Sequence, residues 1–443
     1  MPSWAWPADA YRDAIAAPAR STYITGTITK PDGNATTFGD TELMSGSLSV
    51  SADMAQGDTL LPGAVPTTEL RISLVDDLAD YLVYGAEIMP CFNIILADGS
   101  PYEVPLGVFT ICETEQSDGY YTLTAYDALK KFDNIRFDAL PIETGKVYTP
   151  YEIIALCTNA VDLSLNLDDK TCAAMPNGDV TYMISNLLQN SAIETARDLL
   201  MHTVQTLCAF ARVDRWGALE IVPLTPPASA WCTITEKQRT RSSFTDPAYR
   251  LYALETVVNL PQTDDSTTYG DIKIRDMSLY ADGITVTLPE NPLWGVSVFS
   301  SSSRQAELYQ RIKAIREQLE LCTYMPCTAE TFGDPTISLF DWITYTGRTA
   351  GEGIMAPITS CVWRYHGTQT LSACGSDAVA GVVKSQAEKA AAAARMQMYG
   401  SVTNVMRGTY LKLMQQSHAA MGTFTHADLA HYTHAELGGG TEL

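Results

Sequence analysis

The sequence predicts a mainly β protein of the α+β class, and three kinds of pattern carry this prediction. Turn dipeptides of the Asp-Gly or Asn-Gly type, which tolerate the positive φ angles of tight hairpins, occur five times. Short runs of alternating apolar and polar residues flank several of them, as expected of half-buried antiparallel strands. Two segments carry helix start signals, and one long Ala-rich stretch favours a helix by propensity.

The N-terminal third is predicted to be β-rich. Along the whole chain the turn dipeptides are Asp32-Gly33, Asp98-Gly99, Asp118-Gly119, Asn177-Gly178 and Asp282-Gly283, and the first three fall in this third. The alternating apolar residues are Leu70, Ile72 and Leu74, then Tyr121, Leu123 and Ala125, and later Ile284, Val286 and Leu288. Short strands with frequent hairpins favour a barrel or sandwich, so 21–135 is predicted to be a first β-barrel domain. The Ala-, Pro- and Trp-rich residues 1–20 are predicted to form an arm docked on this domain or on a neighbour.

The middle of the chain mixes helices and strands. Thr149-Pro150-Tyr151-Glu152 is a predicted capping box, and Ser191-Ala192-Ile193-Glu194 is a second, opening an amphipathic helix. A hairpin is expected around Arg215-Trp216-Gly217. We therefore predict an α+β insertion at 136–228. Strands plus a helix near 304–321 are predicted for 229–321, as a second insertion or part of a second barrel domain at 322–375.

The C-terminal region differs in composition. Residues 376–419 are rich in Ala, Met, Gln and Lys, which predicts a helix with a seam of small side chains suited to close packing of several copies. The seam residues are Val379, Val383, Ala387, Ala390, Ala394, Val402 and Val405. Residues 420–443 hold an eight-residue repeat followed by a Gly-rich tail. The repeat is interpreted as a docking unit formed by Phe424, His426, Leu429, Tyr432, His434 and Leu437.

The composition limits the classes of protein to which the chain can belong. The 443 residues suggest two to four domains, and 46% apolar with 18% charged residues indicates a globular chain. The formal net charge of −22 argues against sequence-specific nucleic-acid binding, although it leaves passive passage of DNA open. We expect no signal peptide and no transmembrane helix. The ten cysteines contain no CxxC pair and are expected to be reduced core residues.

The sequence contains no recognised catalytic motif. The HExxH, GxSxG and Walker patterns are all missing, so we predict no enzyme activity and no cofactor. Adjacent carboxylates such as Asp168-Asp169 are expected by chance in a chain with 51 acidic residues. His202 and His366 are predicted to lie on the surface. A ring of His426 or His434 side chains around a three-fold axis could hold a metal ion. We prefer the interpretation of the repeat as a docking unit.

Four passages together resemble the tail hub family of tailed phages, also called baseplate hub proteins. The first contains Leu106-Gly107-Val108-Phe109 in 103–111 and Thr124-Ala125-Tyr126-Asp127 in 121–133. The second is the helix-then-hairpin segment from 195 to 221, and the third is Glu290-Asn291-Pro292-Leu293. The fourth begins with Gly333-Asp334-Pro335 and continues through Asp341-Trp342 and 357–375. The resemblance covers roughly residues 21–375.

The resemblance implies a structural role at the tip of a virion tail. Hub proteins are trimers in which two similar barrels per chain form a pseudo-six-fold ring, adapting a hexameric tail tube to a three-fold tip. Expected partners are a hexameric distal tail or tail tube protein, the tape measure protein, and a tail fibre or receptor-binding protein. The tail would assemble in the host cytoplasm and serve host cell entry. The chain stops where many relatives continue into peptidase or lysozyme-like domains, so a minimal hub is expected.

Two other functions remain open on the sequence. A receptor- or carbohydrate-binding tail protein would use the many Tyr and Trp side chains as sugar platforms, although β-barrels use the same residues in their cores. A tail-associated cell-wall hydrolase would need two carboxylates facing one cleft, and the sequence does not indicate such a pair.

Overall fold

The computed structural model describes residues 7–54, 59–75, 84–117, 119–188, 193–245, 248–259, 271–278, 280, 283–299, 304–347 and 353–374. Its α-helices are α1 Asp9–Ala16, α2 Leu129–Phe132, α3 Pro150–Ala160, α4 Asp169–Ala173, α5 Ala196–Thr206 and α6 Arg304–Glu320. Short 3₁₀ helices occupy Phe137–Ala139, Ile184–Leu187, Glu236–Gln238 and Pro292–Val296.

Among the described residues, twenty strands make up most of the remaining regular structure. They are β1 Thr22–Thr29, β2 Ala35–Gly39, β3 Ser49–Asp53, β4 Glu69–Val75, β5 Glu87–Ile95, β6 Pro101–Pro105, β7 Phe109–Ser117, β8 Tyr120–Tyr126, β9 Ala209–Val213, β10 Leu219–Pro223, β11 Thr233–Ile234, β12 Arg239–Phe244, β13 Leu251–Asn259, β14 Asp271–Met277, β15 Ile284–Thr287, β16 Cys327–Thr331, β17 Trp342–Tyr345, β18 Ile354–Pro357, β19 Ser360–Arg364 and β20 Gln369–Ala373. The predicted mainly β, α+β class is confirmed.

One twelve-stranded sheet runs through both β-rich parts of the chain. Its order is β12-β16-β20-β19-β3-β4-β8-β7-β5-β1-β2, with β6 attached to β5. The N-terminal part is curved so strongly that the segment after β2 returns to β4. There Met44 N donates to Ser73 O at 2.9 Å and Val75 N donates to Glu42 O at 2.8 Å. An isolated β-bridge between Leu43 and Leu74, and not a continuous ladder, joins the segment after β2 to β4.

The two β-rich parts are joined by the pairing of β3 with β19. This antiparallel ladder runs from Ser360 opposite Asp53 to Arg364 opposite Ser49. The sequence led us to expect two separate barrel-like blocks, but among the described strands one sheet passes through both, and no closed barrel ladder is found. The difference arises because a pairing across more than 300 residues leaves no signal in the local pattern of either strand.

Three of the five turn dipeptides close hairpins as predicted. Gly33, Gly99 and Gly119 have φ near +85° and connect β1 to β2, β5 to β6 and β7 to β8. Asn177-Gly178 instead lies in a turn after α4, where the buried Asn177 amide donates to the carbonyls of Thr206 and Arg311 at 2.9 and 3.1 Å. Gly283 precedes β15, which pairs in parallel with β13 and so forms no hairpin with it.

Capping explains where the helices of the insertion begin. The capping box at Thr149 and Glu152 is present at the start of α3, as predicted. The second box is shifted. Thr195, not Ser191, caps α5, and Asp198 completes the box. The apolar stripe from Ala196 to Ala211 predicts a longer helix, but α5 stops at Thr206 and Ala211 belongs to β9.

Two apolar clusters fill the interior. The larger one surrounds α3, α5, α6 and the strands β9–β10 and β13–β18. The smaller one lies inside the curved N-terminal strands and includes Trp363 and Tyr365 from the second β-rich part. Phe92 meets the Trp363 ring edge-on, with ring centroids 5.8 Å apart. The smaller core therefore depends on residues from both β-rich parts.

The described residues all belong to one compact unit, 1–381. Within it, α1 packs on the N-terminal strands through buried Tyr11 and Ile15. Six of the ten free cysteines are buried, namely Cys157, Cys172, Cys208, Cys322, Cys327 and Cys361. None of the helices described is both long and apolar enough to cross a membrane. The domain boundaries given above stay predictions.

Candidate functional site

The predicted tip helix and docking repeat lie outside the described residues. This holds for the seam from Val379 to Val405 and for the repeat with His426 and His434. The described residues contain no group of three or more His, Cys, Asp or Glu arranged to hold a metal ion. His366 is exposed, as predicted, whereas His202 is only partly exposed. Asp168 of the Asp168-Asp169 pair caps α4 by accepting from Thr171 N.

The Leu-Gly-x-Phe passage is a tight packing element. Gly107 has a φ of +140°, and a Cβ built on it would lie 2.7 Å from the Phe109 ring. Phe109 is buried in the smaller apolar cluster. The position therefore needs glycine for both backbone conformation and space.

The Asp of the Thr-Ala-Tyr-Asp passage is a buried hydrogen-bond acceptor. Asp127 accepts from Thr68 N at 2.8 Å and from Leu129 N at 3.0 Å, so it fastens the start of α2 to the segment before β4. Burial raises the pKa of Asp127 to about 6, and the two backbone donors only partly oppose this rise. The carboxylate therefore holds two segments together.

The hairpin β9–β10 carries two partly buried arginines toward the 332–341 loop. Arg212 binds Glu220 at 2.8 Å, Asp341 at 2.9 Å and the carbonyl of Leu339. Burial alone would lower the pKa of Arg212, but the two carboxylates raise it further than burial lowers it. Arg215 donates to Pro105 O at 3.0 Å and to Ser338 Oγ at 2.9 Å.

The N-terminal arm is fastened to the same loop. Tyr11 is fully buried, and its hydroxyl donates to Asp334 Oδ1 at 2.8 Å. Burial, and then the neighbouring Asp334, raise the pKa of Tyr11 well above its usual value. Arg20 donates to Gly333 O at 2.9 Å. These bonds connect the first twenty residues to a loop more than 300 positions away.

Passages one, two and four of the resemblance converge on one small cavity of about 70 Å³. Its walls include Leu106 to Phe109, Asp127, Arg212, Arg215 and the segment from Pro335 to Leu339. The third passage lies elsewhere. There Asn291 donates to His202 O at 2.8 Å and to Gln205 Oε1 at 2.7 Å, which ties the 3₁₀ helix Pro292–Val296 to α5. We call the region around the cavity the junction.

The charged side chains of the junction hold backbone segments in place. Its ionised side chains are paired with one another or with backbone groups, so their hydrogen-bonding capacity is used in holding the hairpin, the arm and the sheet together. The sequence identified the loop and the hairpin but missed Tyr11. No local signal could have singled it out, because its partner Asp334 is distant in the chain.

Comparisons with known proteins gave structural neighbours only. No protein-family model matches the sequence, and no curated protein matches it significantly. The 43 kDa tail protein of prophage MuSo2 from Shewanella oneidensis is 10% identical, with a TM-score of 0.45 over 81% of this chain and 99% of that chain. The prophage tail protein gp18 from Listeria monocytogenes is 11% identical, with a TM-score of 0.46 over 82% and 98%.

A third solved structure is similar over a comparable length. The tail protein from Neisseria meningitidis is 12% identical, with a TM-score of 0.39 over 80% of this chain and 96% of that chain. The chain is thus similar to solved structures of tail proteins, two of them from prophages.

Proposed function

We infer that the chain is a structural hub at the tail tip or baseplate of a phage or phage-like particle. In this role three copies form a ring that adapts a hexameric tail tube or distal tail ring to three-fold tip or fibre components. The ring would line or close the DNA channel. The tape measure protein and a tail fibre or receptor-binding protein are the further partners proposed.

The observation that carries the proposal is the convergence at the junction. Three of the four passages that resemble the hub family lie far apart in the chain, yet they line one cavity where the curved N-terminal strands, the insertion hairpin and the second β-rich part meet. An adaptor must keep its two β-rich parts in a fixed relation, because a ring closes only at a defined angle between neighbouring units. Partly buried ion pairs and close glycine packing at the junction would supply that rigidity.

The oligomeric state of the purified chain tests the proposal. Native mass spectrometry should give a species of three chains, each of 48.2 kDa. Adding the hexameric tube protein of the same particle should give a complex of three copies with six. A chain that stays monomeric at all concentrations, alone and with the tube protein, would reject the adaptor role.

A further inference from the structure

A groove of about 600 Å³ lies between the end of the N-terminal arm and the turn that joins β19 to β20. Its rim carries Arg20, Arg364 and His366, and no carboxylate is among the described residues that line it. Arg364 and His366 are exposed to solvent. In a chain with a net charge of −22, a groove with this rim is a local region of opposite charge.

Two carboxylates beside residues of the groove, Asp40 and Asp334, already accept hydrogen bonds. Asp40 accepts from Ile24 N at 2.8 Å and from the Tyr365 hydroxyl at 3.2 Å. Asp334 accepts from Tyr11 and from the Thr336 backbone and hydroxyl. Neither of these acids lines the groove, but Asp334 interacts electrostatically with Arg20, so the charge offered to an incoming anion comes mainly from the exposed Arg364.

His366 occupies a strained backbone position on the rim. Its φ is +56°, in the left-handed region that Gly adopts most readily and that His, Asn and Asp adopt more often than other residues. Its ring stacks on the Tyr365 ring, with centroids 3.8 Å apart. Glycine would adopt this φ with less strain. The presence of histidine at the rim of a groove therefore suggests that its side chain has a function.

The apolar part of the groove suits a peptide side chain better than a sugar ring. Phe332 is half exposed at the rim, whereas Trp363 and Tyr365 are 5% and 4% exposed and show only narrow edges. Sugar recognition by stacking needs an open aromatic face, which these two buried rings do not offer. An aspartate or glutamate beside an apolar residue can place its carboxylate on Arg364 and its apolar group against Phe332.

We propose that this groove binds an acidic peptide segment that carries aromatic or apolar side chains, contributed by another protein of the assembly. The groove shares Trp363 with the junction cavity, and the assignment of its ligand to another protein of the assembly rests on the proposed function. Arg364 supplies the main charge contact, and the His366 ring forms one wall.

Binding of a random copolymer of glutamate and tyrosine, measured by fluorescence anisotropy at low and at physiological salt, tests the site. We expect Arg364→Glu to weaken binding at least tenfold. Arg241→Glu, at an exposed position on β12, makes the same change in net charge and should alter binding less than twofold. His366→Gly should weaken binding about fivefold without lowering the Tm, because glycine relieves the strained φ.

Three outcomes would overturn the proposal. One is no binding of the copolymer by the native chain. Another is equal weakening by Arg364→Glu and Arg241→Glu, which would indicate a non-specific charge effect. The third is tighter binding of the polyuronate alginate than of the copolymer, which would assign the groove to an anionic glycan.

Discussion

Gly107 and Phe109 form the closest contact at the junction. The glycine adopts a φ of +140°, and the ring of Phe109 fills the space where a side chain would be. We expect Gly107→Ala to lower the free energy of unfolding by about 2 to 4 kcal/mol, because it adds both backbone strain and overpacking. Urea denaturation followed by tryptophan fluorescence measures this change.

Gly99 provides the matched control. It has a φ of +84° in the β5–β6 turn, but a Cβ there would meet nothing within 4 Å. Gly99→Ala should therefore cost only the strain of the turn, about 1 kcal/mol. Equal losses for the two variants would show that the contact with Phe109 contributes nothing.

Asp127 gives a prediction about pH. Its folded pKa of about 6 lies above the usual unfolded value of about 3.9, so the folded chain binds this proton more tightly. The stabilisation from protonation is fully present below about pH 4 and is lost as the pH rises through about 6. The Asp127→Asn variant carries no charge at this position at any pH. The free energy of unfolding of the variant minus that of the native chain should therefore rise by about 3 kcal/mol between pH 4 and pH 7.

The pH dependence of this difference separates titration from hydrogen bonding. Loss of an acceptor in Asp127→Asn shifts the stability by the same amount at every pH, whereas titration changes the difference only between about pH 4 and 6. Urea unfolding of both proteins across this range measures it. A constant difference would contradict a raised pKa for Asp127.

At the scale of elements, the β9–β10 hairpin is held to the 332–341 loop mainly by Arg212. Arg212→Ala would leave the largely buried carboxylate of Asp341 with the hydrogen bond from Ser338 N and the nearby charge of Arg215, but without its ion pair. We expect a loss of about 3 kcal/mol in the free energy of unfolding, since a buried charge that loses its partner is costly. Thermal and urea unfolding should both report it.

The pair of Arg136 with Asp138 is the matched exposed pair. Both side chains are at least half exposed, so water replaces the lost contact when Arg136 is changed to Ala. Arg136→Ala should leave stability and assembly unchanged. Equal losses of stability in Arg212→Ala and Arg136→Ala would show that the ion pairs of the junction do not hold the β9–β10 hairpin to the 332–341 loop.

The C-terminal elements give a separable prediction. Removing 377–443 takes away the predicted tip helix and the repeat but leaves every element of the junction. We expect the shortened chain to form trimers and the resulting tails to lose the fibre or to seal poorly. Tails that remain fully infectious after this deletion would contradict the proposed role of the segment.

The elements that the sequence predicted well are those fixed by neighbours in the chain. The Asp32-Gly33 hairpin and the Thr149 capping box depend on residues a few positions apart, and both are present. The start of α5 was misplaced because Ser191 and Thr195 each precede an acid by three residues, and local pattern does not distinguish the two boxes. Asn177-Gly178 was misleading because tertiary hydrogen bonds, not a hairpin, use that amide.

At the scale of the whole molecule, the sequence predicted the balance of strands and helices but not their connection. The ladder between β3 and β19 and the bond from Tyr11 to Asp334 both join residues more than 300 positions apart. Each partner looks ordinary in its own surroundings. The junction therefore became visible only when these distant segments were placed together.

The central claim is that three copies assemble into a ring, and negative-stain electron microscopy of the purified chain tests it most directly. We expect the images to show a hollow ring with about six lobes, two from each of three copies. A compact particle of the size expected for one 48.2 kDa chain would contradict it.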